Sequence, residues 1–116
     1  MFQDSLLFIT VLQTIFMIGE AVSINGAKIR LTEERWVHIV ESHDDMTGLS
    51  FEILDAIQSP EMIIKGLSGE LLAVKRKNYK YIVSVYKEVG KDGFVITAFL
   101  IKNIERLKKR GVIWKK

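Results

Sequence analysis

The stretch VSINGAKIRL, Val22 to Leu31, alternates apolar and polar positions on either side of Asn25-Gly26. Alternation of this kind turns one side of a strand to a core and the other to solvent. Asn-Gly is the preferred pair for a two-residue type I′ turn, because both positions need positive φ. A hairpin is therefore expected around Asn25-Gly26. The period then changes. Thr32 precedes Glu33 and Glu34, an N-cap followed by acidic residues that the helix dipole favours, and Trp36, Ile39, Val40 and His43 recur at helical spacing. This predicts a helix over Glu33 to Ser42. HDDMTG closes it, Ser50 is placed to cap a second helix over Phe51 to Gln58 with Leu54 and Ile57 facing inward, and Ser59-Pro60 stops that helix.

Beyond Pro60 the chain becomes rich in β-branched and aromatic residues. EMIIKG, ELLAVKRK, KYIVSVYKEV and FVITAFLIK are separated by glycine-bearing or Lys-Asn breaks. The expected fold class is α+β: an N-terminal hairpin and two helices followed by a four-stranded antiparallel β-meander. A loop centred on Lys91-Asp92 sets Tyr86 opposite Thr97 and Lys87 opposite Ile96, and a three-residue turn over Lys77 to Tyr79 sets Arg76 opposite Lys80. Leu71, Ala73, Val83, Val85, Ile96, Ala98 and Leu100 then form a core face. Arg76, Ser84, Tyr86 and Thr97 stand on the opposite face among Val74, Ile82 and Phe99. A two-residue turn at Lys77-Asn78 would bring Lys75 to that polar face instead.

A chain of 116 residues suits one domain, expected over residues 21–116, with an apolar segment over residues 1–20 set apart. LLFITVLQTIFMI, Leu6 to Ile18, falls short of the roughly 20 apolar residues that span a bilayer. No Lys or Arg precedes it, which argues against a secretory signal. Three readings stay open for this segment: a buried or oligomer-forming element, a membrane-surface anchor, or an extension upstream of a start at Met17. The absence of cysteine rules out a disulfide framework, a thiolate zinc site and a cysteine nucleophile, and it fits a reducing compartment, so the cytoplasm is expected. The formal charge of +3 is uneven, since Ile101 to Lys116 holds seven Lys and Arg against Glu105 alone. Such a tail fits a polyanionic partner, or a solvated helix end.

RWVHIVESH holds both histidines of the chain, His38 and His43. Five positions on a helix set two side chains about 140° apart, too far round to share a zinc. Asp44-Asp45 beside His43 could hold a hard cation, but adjacent carboxylates at a helix end more often cap or face solvent. Imidazole titrates near neutrality and suits proton transfer. His43 lies on the inward stripe at the helix end, where a cleft between helix and sheet could open. The alternative is a ring that fills the helix C-terminus and, when charged, meets the dipole favourably. Arg76, Lys80, Ser84, Tyr86 and Thr97 could line an anion site, or could form one solvated sheet face.

The order of W-x-H-I-x-x-x-H, a second helix ending in SP, strands ending in VITAFL and a basic ERLKKRG resembles the phage-associated members of the barnase/EndoU/colicin/RelE-like (BECR fold) nuclease superfamily. The resemblance covers roughly Lys28 to Trp114 and implies helices followed by a four-stranded antiparallel sheet. It also implies a metal-independent, toxin-like endoribonuclease, with RNA as substrate and an antitoxin or immunity protein as partner. Catalytic roles fall on His43 and His38, on Lys75 or Arg76 and on Thr97. An Asp44 follows His43 where many relatives have proline, and the apolar N-terminal segment is not part of the pattern. RNA carries its own nucleophile, the 2′-hydroxyl, so the enzyme that the resemblance implies need only move protons and stabilise charge on the phosphoryl oxygens, and neither a metal nor a cofactor is expected. On that chemistry His43 and His38 act as acid and base, Arg76 or Lys75 holds the phosphate, and Tyr86 and Thr97 support it. Lys80, Lys108, Lys109 and Arg110 hold the RNA backbone. The alternative is a module that binds nucleic acid or an antitoxin without catalysis.

Overall fold

The computed structural model describes residues 17–116. The chain runs β1 (Met17–Val22), β2 (Lys28–Thr32), α1 (Glu33–Ser42), a 3-10 turn (Asp44–Met46), α2 (Ser50–Gln58), β3 (Met62–Lys65), β4 (Leu71–Lys77), β5 (Lys80–Val89), β6 (Asp92–Ile101), α3 (Glu105–Lys108) and β7 (Val112–Lys115). Most of the apolar segment over residues 1–20, and with it the proposed oligomer-forming role, lies outside the described residues. Its last four positions belong to β1. Among the described residues no helix is long and apolar enough to cross a membrane.

Local chemistry sets the element boundaries. Thr32 has extended backbone, and its Oγ1 accepts the Arg35 N–H at 3.2 Å, which satisfies one of the donors left open at the start of α1. The first hairpin does not close as a two-residue turn. Gly26 alone takes positive φ, its N–H donates to the Ser23 carbonyl at 2.9 Å, and the Ser23 N–H donates to the Ala27 carbonyl at 2.8 Å. This is a longer loop in which glycine occupies the left-handed bulge position. Nor does Ser50 cap α2. It is the first helical residue, and Leu49 precedes it without a side-chain cap.

The expected layout of a hairpin and two helices followed by a separate four-stranded meander is overturned. All seven strands form one mixed sheet in the order β1-β2-β6-β5-β4-β3-β7. The hairpin enters that sheet through a parallel pairing of Lys28–Arg30 with Asp92–Phe94, and the basic C-terminus adds β7 antiparallel to β3. Both additions join segments distant in sequence, so no local pattern announces them.

Both faces of the sheet are covered, which explains why alternation misassigned them. On one face α1 and α2 enclose a core that includes Ile29, Leu31, Ile39, Ile53, Ile82 and Tyr86. On the other, Ile104 and Leu107 of the α3 region pack with Ile64, Leu72, Val74 and Val83. The run Ile82 to Tyr86 in β5 is buried without a break, as expected for a strand walled on both sides. At full burial each of these aliphatic side chains contributes about 1.5–3 kcal/mol.

The registers also differ from expectation. Lys77 pairs with Lys80 and Arg76 with Tyr81, so the β4–β5 turn is Asn78-Tyr79, with positive φ at Asn78. Val89 pairs with Asp92 across Gly90-Lys91, and a bulge at Ile96 then sets Tyr86 opposite Val95 and Thr97 opposite Val85. Lys75, Ile82, Ser84 and Tyr86 therefore share the face beneath the helices. Arg76 and Thr97 lie on the other face.

Gly93 sits where β5, β6 and the parallel strand β2 meet. A Cβ there would run into the Lys87 carbonyl oxygen and would stand 2.6 Å from Ile29 Cδ1. Gly93→Ala is expected to lower stability by about 1–3 kcal/mol, read from the midpoint of denaturant unfolding. An unchanged midpoint would show that the junction is looser than its geometry implies.

Candidate nucleic-acid interface

The two histidines do not meet in one site. His38 is exposed on α1, with Nε2 3.9 Å from Glu34 Oε1. His43 caps the C-terminus of the same helix: its N–H donates to the Ile39 carbonyl, and its half-buried ring lies 6.0 Å from the Phe99 ring. It therefore sits beside β6. Among the described residues no three His, Asp or Glu side chains group as a metal site.

The groups expected to serve His43 are dispersed. Arg76 lies on β4, two strands away across β5, a distance of about 10 Å at about 4.8 Å per strand. Its guanidinium turns toward its own hairpin, donating to the Asn78 carbonyl at 3.1 Å and to Tyr81 Oη at 3.3 Å, with Cζ 5.4 Å from the Tyr81 ring centroid. Lys75 is on the opposite face, where its Nζ pairs with Asp55 Oδ2 at 2.7 Å. Tyr86 is wholly buried, and its hydroxyl has no hydrogen-bond partner. Thr97 is half-buried opposite Val85. No surface therefore unites His43, Arg76, Tyr86 and Thr97.

The structure gathers something else: a basic ledge along one end of the sheet. Lys75, Arg76 and Lys77 finish β4, Lys80 begins β5, Lys102 follows β6, and Lys115 and Lys116 close β7 at the same end. Lys116 is fixed there by its N–H, which donates to the Glu61 carbonyl, while the Glu61 carboxylate accepts the Arg76 backbone N–H. From β6 to β7 the ledge crosses four strand spacings, roughly 19 Å. Two of its cations are committed to carboxylates of α2, Lys75 to Asp55 and Lys77 to Glu52, the latter at 3.9 Å. These pairs form one wall of an open cleft of about 280 Å³. Arg76, Lys80, Lys102, Lys115 and Lys116 make no ion pair among the described residues.

At the tip of the ledge stands Tyr79, 70% exposed on its turn. Its ring centroid lies 5.7 Å from Lys80 Nζ and 6.0 Å from Lys102 Nζ. The expected binding set is thus divided. Lys80 belongs to the ledge, whereas α3 runs back along the sheet and delivers Lys108, Lys109 and Arg110 toward the other end. There Gly111 accepts the Lys65 N–H. Glu70 is held below the ordinary carboxylate range by its own backbone N–H and those of Leu67 and Ser68, and the Arg110 charge adds to this. Sequence reasoning counted Lys102 only within the basic tail and passed over Tyr79, Tyr81 and Lys77. The signal was KRKNYKY, Lys75 to Tyr81, where four cations alternate with two tyrosines around a turn.

No family model, curated protein or solved structure matches the chain. The nuclease resemblance therefore rests on its short motifs alone.

Burial pushes the Tyr86 phenol well above its ordinary value of 10.0, with the Glu88 charge adding to the effect. The folded protein keeps this group neutral at a pH where the unfolded chain ionises it, so its contribution is intact below that value and is lost as the pH rises past it. Tyr86→Phe is expected to flatten the alkaline limb of the stability profile above pH 10.0. Near neutrality it should be neutral to stabilising by about 1 kcal/mol, because it deletes an unsatisfied buried hydroxyl. Thermal unfolding across pH reads both effects, and a marked loss of stability at neutral pH would reveal a partner for that hydroxyl.

Proposed function

We propose that the protein is a nucleic-acid-binding module that acts without cutting its ligand, and that the basic ledge at the β4–β5 end of the sheet is its contact surface. The observation that carries this reading is the row of Arg76, Lys80, Lys102, Lys115 and Lys116, all at one end of the sheet and none paired with a carboxylate among the described residues. Like charges held along one line by a rigid sheet repel one another, and a phosphate backbone relieves that repulsion while releasing its own counterions. Arg76, braced by Tyr81 and the Asn78 carbonyl, presents its guanidinium in a fixed orientation, which favours phosphate contact over free swinging. The acid/base reading has less support, because His43 lies beside Phe99 with β5 between it and Arg76. A cysteine-free chain that works on RNA fits the cytoplasm.

Lys80→Ala combined with Lys102→Ala is expected to weaken RNA binding and to lower the slope of log affinity against log salt by about 2, roughly 1 for each phosphate that is no longer neutralised. His43→Ala should bind as the parent does, and RNA incubated with the protein in EDTA should stay intact. Binding indifferent to salt and to both lysines would dismiss the ledge. RNA cleavage that disappears in His43→Ala would restore the ribonuclease reading.

A further inference from the structure

Five cations explain attraction to any polyanion; they do not explain why a large aromatic ring stands among them. Tyr79 is 70% exposed at the second position of a two-residue turn, a place where solvent-compatible residues ordinarily serve. It contributes nothing to either core. Lys80 and Lys102 set their Nζ atoms over the ring at 5.7 and 6.0 Å from its centroid, at the outer limit of a cation–π contact, so they hold it weakly, and the residue stays largely exposed. One flat apolar ring with two ammonium groups beside it matches the two halves of a nucleotide, a base to stack and phosphates to neutralise.

We infer that the ledge selects single-stranded nucleic acid, with an unpaired base stacked on Tyr79 and the flanking phosphates held by Lys80 and Lys102. The inference rests on the nucleic-acid reading above and narrows its ligand. A stacked base must offer an open face, which an unpaired strand has and the interior of a duplex lacks. The alternative use of this end, entry into a duplex groove, is poorly served. Beyond the Tyr81–Ile101 pair the β4–β5 hairpin extends only by the Lys77–Lys80 pair and its turn, whereas the major groove is about 8.5 Å deep and is read by a whole helix or a projecting ribbon. The described helices α1 and α2 are packed against the sheet instead. From Tyr79, on the β4–β5 turn, a strand can continue toward β7, past Arg76 to Lys115 and Lys116, across two to three strand spacings, roughly 10–14 Å. Stacking of this kind does not discriminate among bases, since every base has a π-face.

The test is fluorescence anisotropy of the full chain at one fixed salt concentration, with short labelled single strands of RNA and of DNA and with the duplex of the same sequence. Single strands should bind about tenfold or more tightly than duplex. Tyr79→Ala should weaken single-strand binding about tenfold and leave duplex binding unchanged, while Tyr79→Phe should bind like the parent, because the ring and not the hydroxyl makes the contact. The RNA and DNA arms show whether the sugar matters. As a measurement independent of any variant, irradiation of an iodouracil-substituted strand bound to the parent protein should place the cross-link on Tyr79. If Tyr79→Ala binds single strands like the parent, or duplex binds as tightly as single strand, while Lys80→Ala and Lys102→Ala weaken both, the stacking inference is overturned and the phosphate-binding function stands. If no nucleic acid binds at any salt concentration, both fall.

Discussion

Parallel pairing of Lys28–Arg30 with Asp92–Phe94 joins two sets of strands that are each antiparallel within themselves. Through that short contact Ile29 and Leu31 reach the same core as Ile53, Ile82 and Tyr86, and α1 is carried onto the sheet beside β6. The approach is close enough to require glycine at position 93. Without it the β1–β2 hairpin would have no sheet to join, and an isolated hairpin is marginal in water. With it, α1 and α2 cover one face while α3 covers part of the other. The middle strands are then enclosed, and the ends of the strands are left to meet solvent. The basic ledge is a product of that enclosure.

Much of the local structure was legible. Thr32 followed by two glutamates marked the start of α1, because a hydroxyl acceptor and early acidic residues are what an N-terminus needs. The strand-rich stretches after Pro60 were visible in their β-branched and aromatic residues. Two things were not. Parallel pairing between segments separated by dozens of residues leaves no periodic trace, and a strand buried on both faces has no polar side from which to tell inside from outside. Ser84 and Tyr86 look polar in sequence. In the fold Ser84 Oγ donates to the Ile53 carbonyl at 2.8 Å, and Tyr86 is enclosed in the core. The bulge at Ile96 then moves Thr97 to the other side of the sheet from Tyr86, which no count of alternating positions could foresee.

The expected site residues are spread over the fold for a related reason. Histidine draws attention because it titrates near neutrality, and both histidines lay in one short helix. Chemical versatility says nothing about neighbours, and here the neighbours are Glu34 for His38 and Phe99 for His43. The basic tail was recognised by charge, but its cations are sorted by topology. β7 returns Lys115 and Lys116 to the end of the sheet where β4 and β5 turn, while Lys108 pairs with Glu105 and Arg110 acts on Glu70. Residues close in sequence are thereby separated, and residues some forty positions apart are brought into line.

The enclosure of β5 has a further consequence. Tyr79 and Lys80, at the turn and start of β5, contribute little to either core, whereas Ile82 to Tyr86, a few positions along that strand, cannot change without disturbing packing on both faces. Exposed positions of the first kind usually tolerate substitution within about 0.5 kcal/mol. The end of β5 therefore joins a stretch whose side chains can change at little cost to a stretch held fixed by its surroundings, so the chemistry of the strand ends can vary without altering the scaffold.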